Sequence, residues 1–76
     1  MLITIGTILG RKVSLEFEPN QKVQDIKNAL SKQIGIPAKN YRLIGWGKCL
    51  KEELTIQEAN INPEMILMMY MPTIGE

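Results

Sequence analysis

The hydrophobic spacing of this chain changes period once, and that change limits its fold more than any other feature. Leu2 to Thr7 alternates apolar and polar residues, as does Val13 to Phe17, where Val13, Leu15 and Phe17 share one face. Period two predicts two strands. Gly10 between them predicts a hairpin whose loop, Thr7-Ile8-Leu9-Gly10, has Gly10 at positive φ beside a bulge. Ile8 then stands at the loop tip, beyond the reach of any core. From Val23 the apolar residues recur every three or four positions, at Val23, Ile26, Leu30 and Ile34, with Asp25, Asn28 and Lys32 turned away. That spacing predicts a helix. Its stop is well marked: Gly35 suits the left-handed C′ position, and Pro37 cannot continue the helix and drives Ile36 into an extended conformation. Its start is weaker. Asn20 caps only a helix that begins earlier, and Lys22 has no acceptor for the free amides, although Asp25 in the first turn favours the dipole.

Past the helix, Tyr41 to Ile44 and Lys48 to Leu50 read as short strands around Gly45-Trp46-Gly47, and Leu54 to Ala59 as an irregular turn or short 3₁₀ segment. Met65 to Met71 predicts a last strand. An uncharged run of this kind reads, in isolation, as a central strand buried on both faces. One helix, however, covers only one face of a sheet, so the ββαββ order implies an α+β fold with the second face open to solvent.

Composition excludes several functions. The 76 residues, 45% of them hydrophobic, suffice for one domain, expected over 1–76, near the size at which a chain buries only about 60% of its unfolded surface. Nine Lys and Arg against eight Asp and Glu give no basic stripe for nucleic acid. The longest uncharged stretch, Ile61 to Ile74 apart from Glu64, is too short and too interrupted to span a membrane. Met1-Leu2-Ile3-Thr4-Ile5 alternates and leads into Gly6, unlike a signal peptide, so a cytoplasmic or nuclear location is expected. With no histidine the chain lacks a Cys-His or Ser-His nucleophile pair, and one cysteine with scattered carboxylates makes no zinc set. No enzyme activity, metal or cofactor is expected. Cys49 lies between Lys48 and Lys51, which lower a thiol pKa when close, but a small residue on a short strand is the plainer reading.

The residues Lys27, Gly35-Ile36-Pro37, Arg42-Leu43-Ile44, Gly47-Lys48 and Leu50, in a chain of this length, resemble the ubiquitin family from end to end without a gap. The resemblance implies a β-grasp fold: a mixed sheet of four to five strands packed on one main helix. In that register Leu67 and Met69 face the helix, and Ile66, Met68 and Tyr70 face outward. It also implies that Lys27, which falls on or beside the buried stripe, pairs with Glu52, since an ammonium is costly to bury without a carboxylate.

The same resemblance locates a partner-binding surface. Ile8, Ile44, Met68 and Tyr70 match the positions of the family's main apolar recognition patch, with Arg42, Gly47 and Lys48 alongside. Met68 and Tyr70 stand where ubiquitin has a histidine and a valine; Met repacks around different partners, and Tyr adds area while keeping its hydroxyl wet. Trp46 replaces a small residue. It either joins this surface as an anchor or folds over Ile44 or Leu50 as a shield. Ile36 and Met71 mark a second family surface, altered on its tail side by Met71 and Thr73. Of the family's chain-forming lysines only Lys27 and Lys48 remain, the others being Gly6, Arg11, Ala29, Gln33 and Pro63.

Conjugated relatives end in a basic stretch and a diglycine, whereas positions 71–76, with 72–76 expected as a flexible tail, read Met-Pro-Thr-Ile-Gly-Glu. Glu76 adds a side chain and a charge at the reacting end, and Pro72 fixes φ at the hinge. The resemblance therefore implies a monomeric, non-conjugated interaction module for ubiquitin receptors, proteasome subunits, ligases or chaperone adaptors. Two alternatives stay open: a divergent conjugated modifier, and a structural domain whose apolar face packs on a neighbour or a second copy.

Overall fold

The computed structural model describes residues 1–71, and the tail expected at 72–76 lies outside the described residues. Strands β1 (Leu2–Gly6) and β2 (Lys12–Glu16) form the expected hairpin, with Gly10 at φ +83°. Helix α1 runs Val23–Ile34, a 3₁₀ turn spans Ala38–Asn40, and β3 (Arg42–Gly45), β4 (Lys48–Cys49) and β5 (Ile66–Tyr70) complete the sheet. The strand order is β2-β1-β5-β3-β4. β1 and β5 pair in parallel at the centre and all other pairs are antiparallel, so the sheet is mixed. Parallel neighbours need a long crossover, and everything from β2 to β5 lies between these two in sequence.

The core fills the space between one sheet face and α1. Ile3 and Ile5 of β1, Leu43 of β3, and Leu67 and Met69 of β5 meet Val23, Ile26 and Leu30 of the helix, with Ile56 and Ile61 closing the end. Each such aliphatic side chain contributes about 1.5 to 3 kcal/mol on full burial.

The helix start, weak in the sequence, is completed from outside the helix. Lys22 supplies no side-chain cap. Instead the Val23 N–H donates to the Leu54 carbonyl (2.9 Å) and the Gln24 N–H to the Glu52 carbonyl (3.2 Å). The Lys22 N–H in turn donates to the Asp25 carboxylate at 3.0 Å. The segment 51–60 is thus held in turns by bonds to the helix start, and the Ile56 N–H adds one to the Gln21 carbonyl (2.7 Å). At the other end Gly35 takes φ +77° and its N–H donates to the Ser31 carbonyl, which satisfies one orphan acceptor of the last turn. The 3₁₀ turn falls at Ala38–Asn40, just past Pro37, while Leu54 to Ala59 holds none.

Lys27 is 2% exposed. Its Nζ bonds the carboxylate of Glu52, whose side chain remains partly open to solvent. The ammonium also sits 5.4 Å from the centre of the Tyr41 ring, an added electrostatic attraction. The Tyr41 hydroxyl donates to the Lys27 carbonyl and shares a hydrogen bond with Ser31 Oγ, both at 2.8 Å. Burial pushes the Tyr41 phenol above its ordinary value of 10.0, and the Ser31 hydrogen bond partly opposes this.

Two outcomes follow from this cluster. Lys27→Ala leaves Glu52 without its cation and should cost about 1 to 3 kcal/mol, discounted because Glu52 is partly solvated, whereas Lys32→Ala should cost about 0.5 kcal/mol or less. Equal urea midpoints for the two variants would contradict the pairing. Because the folded-state pKa of Tyr41 is raised, its stabilising contribution is complete below pH 10.0 and declines as pH rises through the folded value. Alkaline destabilisation should therefore be steeper in the parent chain than in Tyr41→Phe, and parallel curves would contradict it.

Candidate functional site

β5 alternates strictly: Leu67 and Met69 are buried, and Ile66, Met68 and Tyr70 are exposed. Directly paired residues share a sheet face, so the register turns this alternation into a surface. Gly6 pairs with Lys12 and Met68, Met68 with Ile44, and Ile44 with Cys49, forming one row across the outer face. One row along, Tyr70 pairs with Arg42; on the other side Ile66 pairs with Thr4. Gly6 serves here by its size. A Cβ at that position would lie 3.2 Å from the Met68 sulfur, so the thioether rests on the bare backbone of β1.

Ile8 is exposed on the hairpin loop just beyond Gly6. Arg42 and Lys12 border the apolar centre, and neither meets a carboxylate among the described residues, where the ion pairs are Met1 with Glu16 and Lys27 with Glu52. The α-ammonium of Met1 donates to Glu16 at 2.8 Å.

The structure brings together Ile44, Met68, Tyr70 and Arg42, and separates Trp46 from them. Trp46 and Gly47 are the central residues of the β3–β4 turn, at φ +58° and +75°. The indole N–H donates to the Asn60 carbonyl at 3.1 Å. The ring therefore borders a groove shared with Lys48, Leu50, Leu54 and Ala59, which none of Ile8, Ile44, Met68 and Tyr70 lines. Leu50 belongs to the core cluster, and its N–H donates to the Leu43 carbonyl (2.9 Å). Ile36 and Met71 are half-buried against the core.

Sequence reasoning missed two exposed apolar residues. Leu2 and Leu9 are each about half exposed. Leu2 was legible, since it falls out of phase with the buried Ile3 and Ile5. Cys49 lies beside Ile44 because a two-residue turn at Trp46-Gly47 fixes the pairing of Gly45 with Lys48 and hence of Ile44 with Cys49. Among the described residues no group of His, Cys, Asp and Glu is placed to hold a metal, and no helix is long and apolar enough to cross a membrane.

A mixed five-stranded sheet folded over a single main helix, with its other face bare, is the β-grasp arrangement of an α+β domain. Residues 3–73 match the Ubiquitin family, and the chain belongs to that family. Ubiquitin-like protein 4A of Anoplopoma fimbria is 30% identical over 76 residues, covering 100% of this chain and 49% of the relative. Its counterpart in Danio rerio is likewise 30% identical, with 48% of the relative covered, so the chain spans about half the length of these proteins. NEDD8-like protein RUB1 of Saccharomyces cerevisiae is 31% identical over 75 residues, covering 99% of this chain and 97% of the relative. Ubiquitin-like domains generally bind proteins.

The assignment of faces has a direct check. Met68→Ser should cost no more than about 1.5 kcal/mol, since its side chain is half in water, whereas Leu67→Ala should cost about 2 to 5 kcal/mol. Comparable losses for the two neighbours, measured by denaturant unfolding, would contradict the register.

Proposed function

We propose that this chain is a non-enzymatic, non-conjugated protein-interaction module of the cytoplasm or nucleus. Its outer sheet face docks a helix or small domain of a ubiquitin receptor, proteasome subunit, ligase or chaperone adaptor. The observation that carries the reading is the apolar centre formed by Met68 and Ile44, flanked by Ile66 and Tyr70, on a face that α1 does not cover. Contiguous apolar surface of this kind is uncommon on a monomer unless something binds there. Arg42 and Lys12 contribute positive charge around it and favour partners with an acidic rim.

The near full-length correspondence with NEDD8-like protein RUB1 favours a second reading, a divergent modifier with its own enzymes.

Titrating isotope-labelled chain with ubiquitin-binding helix peptides tests the first reading. Amides of Ile44, Gly47, Met68 and Tyr70 should shift together with micromolar affinity, and Ile44→Ala should weaken binding about tenfold or more, as loss of a central apolar anchor does. Shifts confined to other residues would remove this face as the site. Incubation with ubiquitin-activating enzyme and ATP should yield no thiol-sensitive adduct of the chain, and such an adduct would favour the modifier.

A further inference from the structure

Trp46 holds a backbone conformation that favours other residues. With Gly45 paired to Lys48, Trp46 and Gly47 form a two-residue hairpin turn with positive φ at both positions. Such turns favour Asn or Asp before Gly, and a bulky side chain at positive φ is strained. Burial does not offset that strain, since Trp46 is 59% exposed. Its indole N–H is already donated to the Asn60 carbonyl, and Asn60 is the other non-glycine residue at positive φ among the described residues. The polar edge of the ring is thus tied down while much of its surface stays in water. A single hydrogen bond within the fold sets itself against that strain, and backbone strain of this kind clusters at ligand-contact sites.

The ring borders an open groove of about 960 Å³ between the turn and the segment 57–62. Its apolar lining comes from Leu50, Leu54, Ala59 and Ile61. Its rim carries Lys48 and Lys51, neither paired with a carboxylate among the described residues. The acid on the rim, Glu58, keeps its charge while its carboxylate accepts the Thr55 N–H at 2.9 Å and its own N–H donates to Thr55 Oγ1 at 3.0 Å. The ammonium of Met1, also on the lining, is held by Glu16 and the Phe17 carbonyl. Lys48 and Lys51 thus outnumber Glu58, and the charge facing an occupant is positive on balance, over an apolar floor and beside an aromatic wall.

We propose that this groove is a second docking site, distinct from the outer sheet face, for an acidic peptide segment that packs an aliphatic or aromatic side chain against Trp46. Two lysines suit one or two carboxylates of a peptide; a nucleic acid strand needs a longer track of cations along its phosphates, which a chain of net charge +1 does not offer. Two sites on one small domain let a partner gain avidity by engaging both with linked segments.

The test pans a phage library of random dodecapeptides against the full chain carrying Ile44→Ala, which weakens the sheet face and leaves the groove intact. Enriched peptides should combine Asp or Glu with Leu, Phe or Trp. Tryptophan-free members should shift the emission of Trp46, the sole tryptophan of the chain. Amides of Leu54, Ala59 and Asn60 should move while those of Ile66 and Tyr70 stay in place. Trp46→Asn should keep or raise the unfolding midpoint, since Asn suits the turn, and weaken these peptides about tenfold or more, as should Lys48→Glu with Lys51→Glu. No enriched family, a basic consensus, unchanged Trp46 emission, or tighter binding of oligothymidylate than of the peptides would overturn the proposal. So would a Trp46→Asn variant with a lowered midpoint and undiminished binding, which assigns the ring a purely structural role. Helix binding at the sheet face is scored separately in the parent chain, so either site can fail without the other.

Discussion

A single 12-residue helix against a five-stranded mixed sheet sets the terms for everything else in this domain. The helix fills one side, where Val23, Ile26 and Leu30 meet Ile3, Ile5, Leu43 and Leu67, all nearly or wholly inaccessible to water. The opposite side has no such cover. A sheet open on one face normally alternates apolar inward with polar outward. β2 follows that rule with Lys12, Ser14 and Glu16, and β5 breaks it with Ile66, Met68 and Tyr70. The exposed apolar residues of the sheet are therefore concentrated on β5, beside β3.

The helix is itself held by the chain that follows it. Carbonyls of Glu52 and Leu54 receive its first amides, and the Glu52 side chain meets Lys27 one turn further in. Tyr41 closes the cluster by bonding the Lys27 carbonyl and Ser31. One segment thus satisfies orphan amides and a buried ammonium together, which explains why a start without a side-chain cap is tolerated. The same segment, continued to Asn60, forms the wall that receives the Trp46 indole, so helix capping and groove formation share a support.

Most of the fold was legible where local rules decide it. Period two gave β1 and β2, the three-to-four spacing of Val23, Ile26, Leu30 and Ile34 gave α1, and Gly35 with Pro37 gave its end. The missing pieces are those that depend on residues far apart in sequence. No local signal joins β1 to β5 in parallel, or identifies the Glu52 and Leu54 carbonyls as the helix cap. At the candidate site, Ile44, Met68 and Tyr70 were assigned through family resemblance and alternation. Trp46 was grouped with them as a large aromatic standing where the family has a small residue; its indole bonds the Asn60 carbonyl, and the ring lines the groove with Leu54 and Ala59. Cys49 beside Ile44 was readable from the two-residue turn, once that turn is taken to set the register.

The central claim is that the chain leaves one sheet face bare and apolar. Methyl relaxation enhancement by a soluble nitroxide, measured on the free monomer, tests it most directly. Methyls of Ile8, Ile44, Ile66 and Met68 should be strongly broadened, and those of Ile3, Leu43, Leu67 and Met69 should be protected. Protection of Met68 and Ile66 equal to that of Leu67 would mean that the face is covered, and would contradict the account.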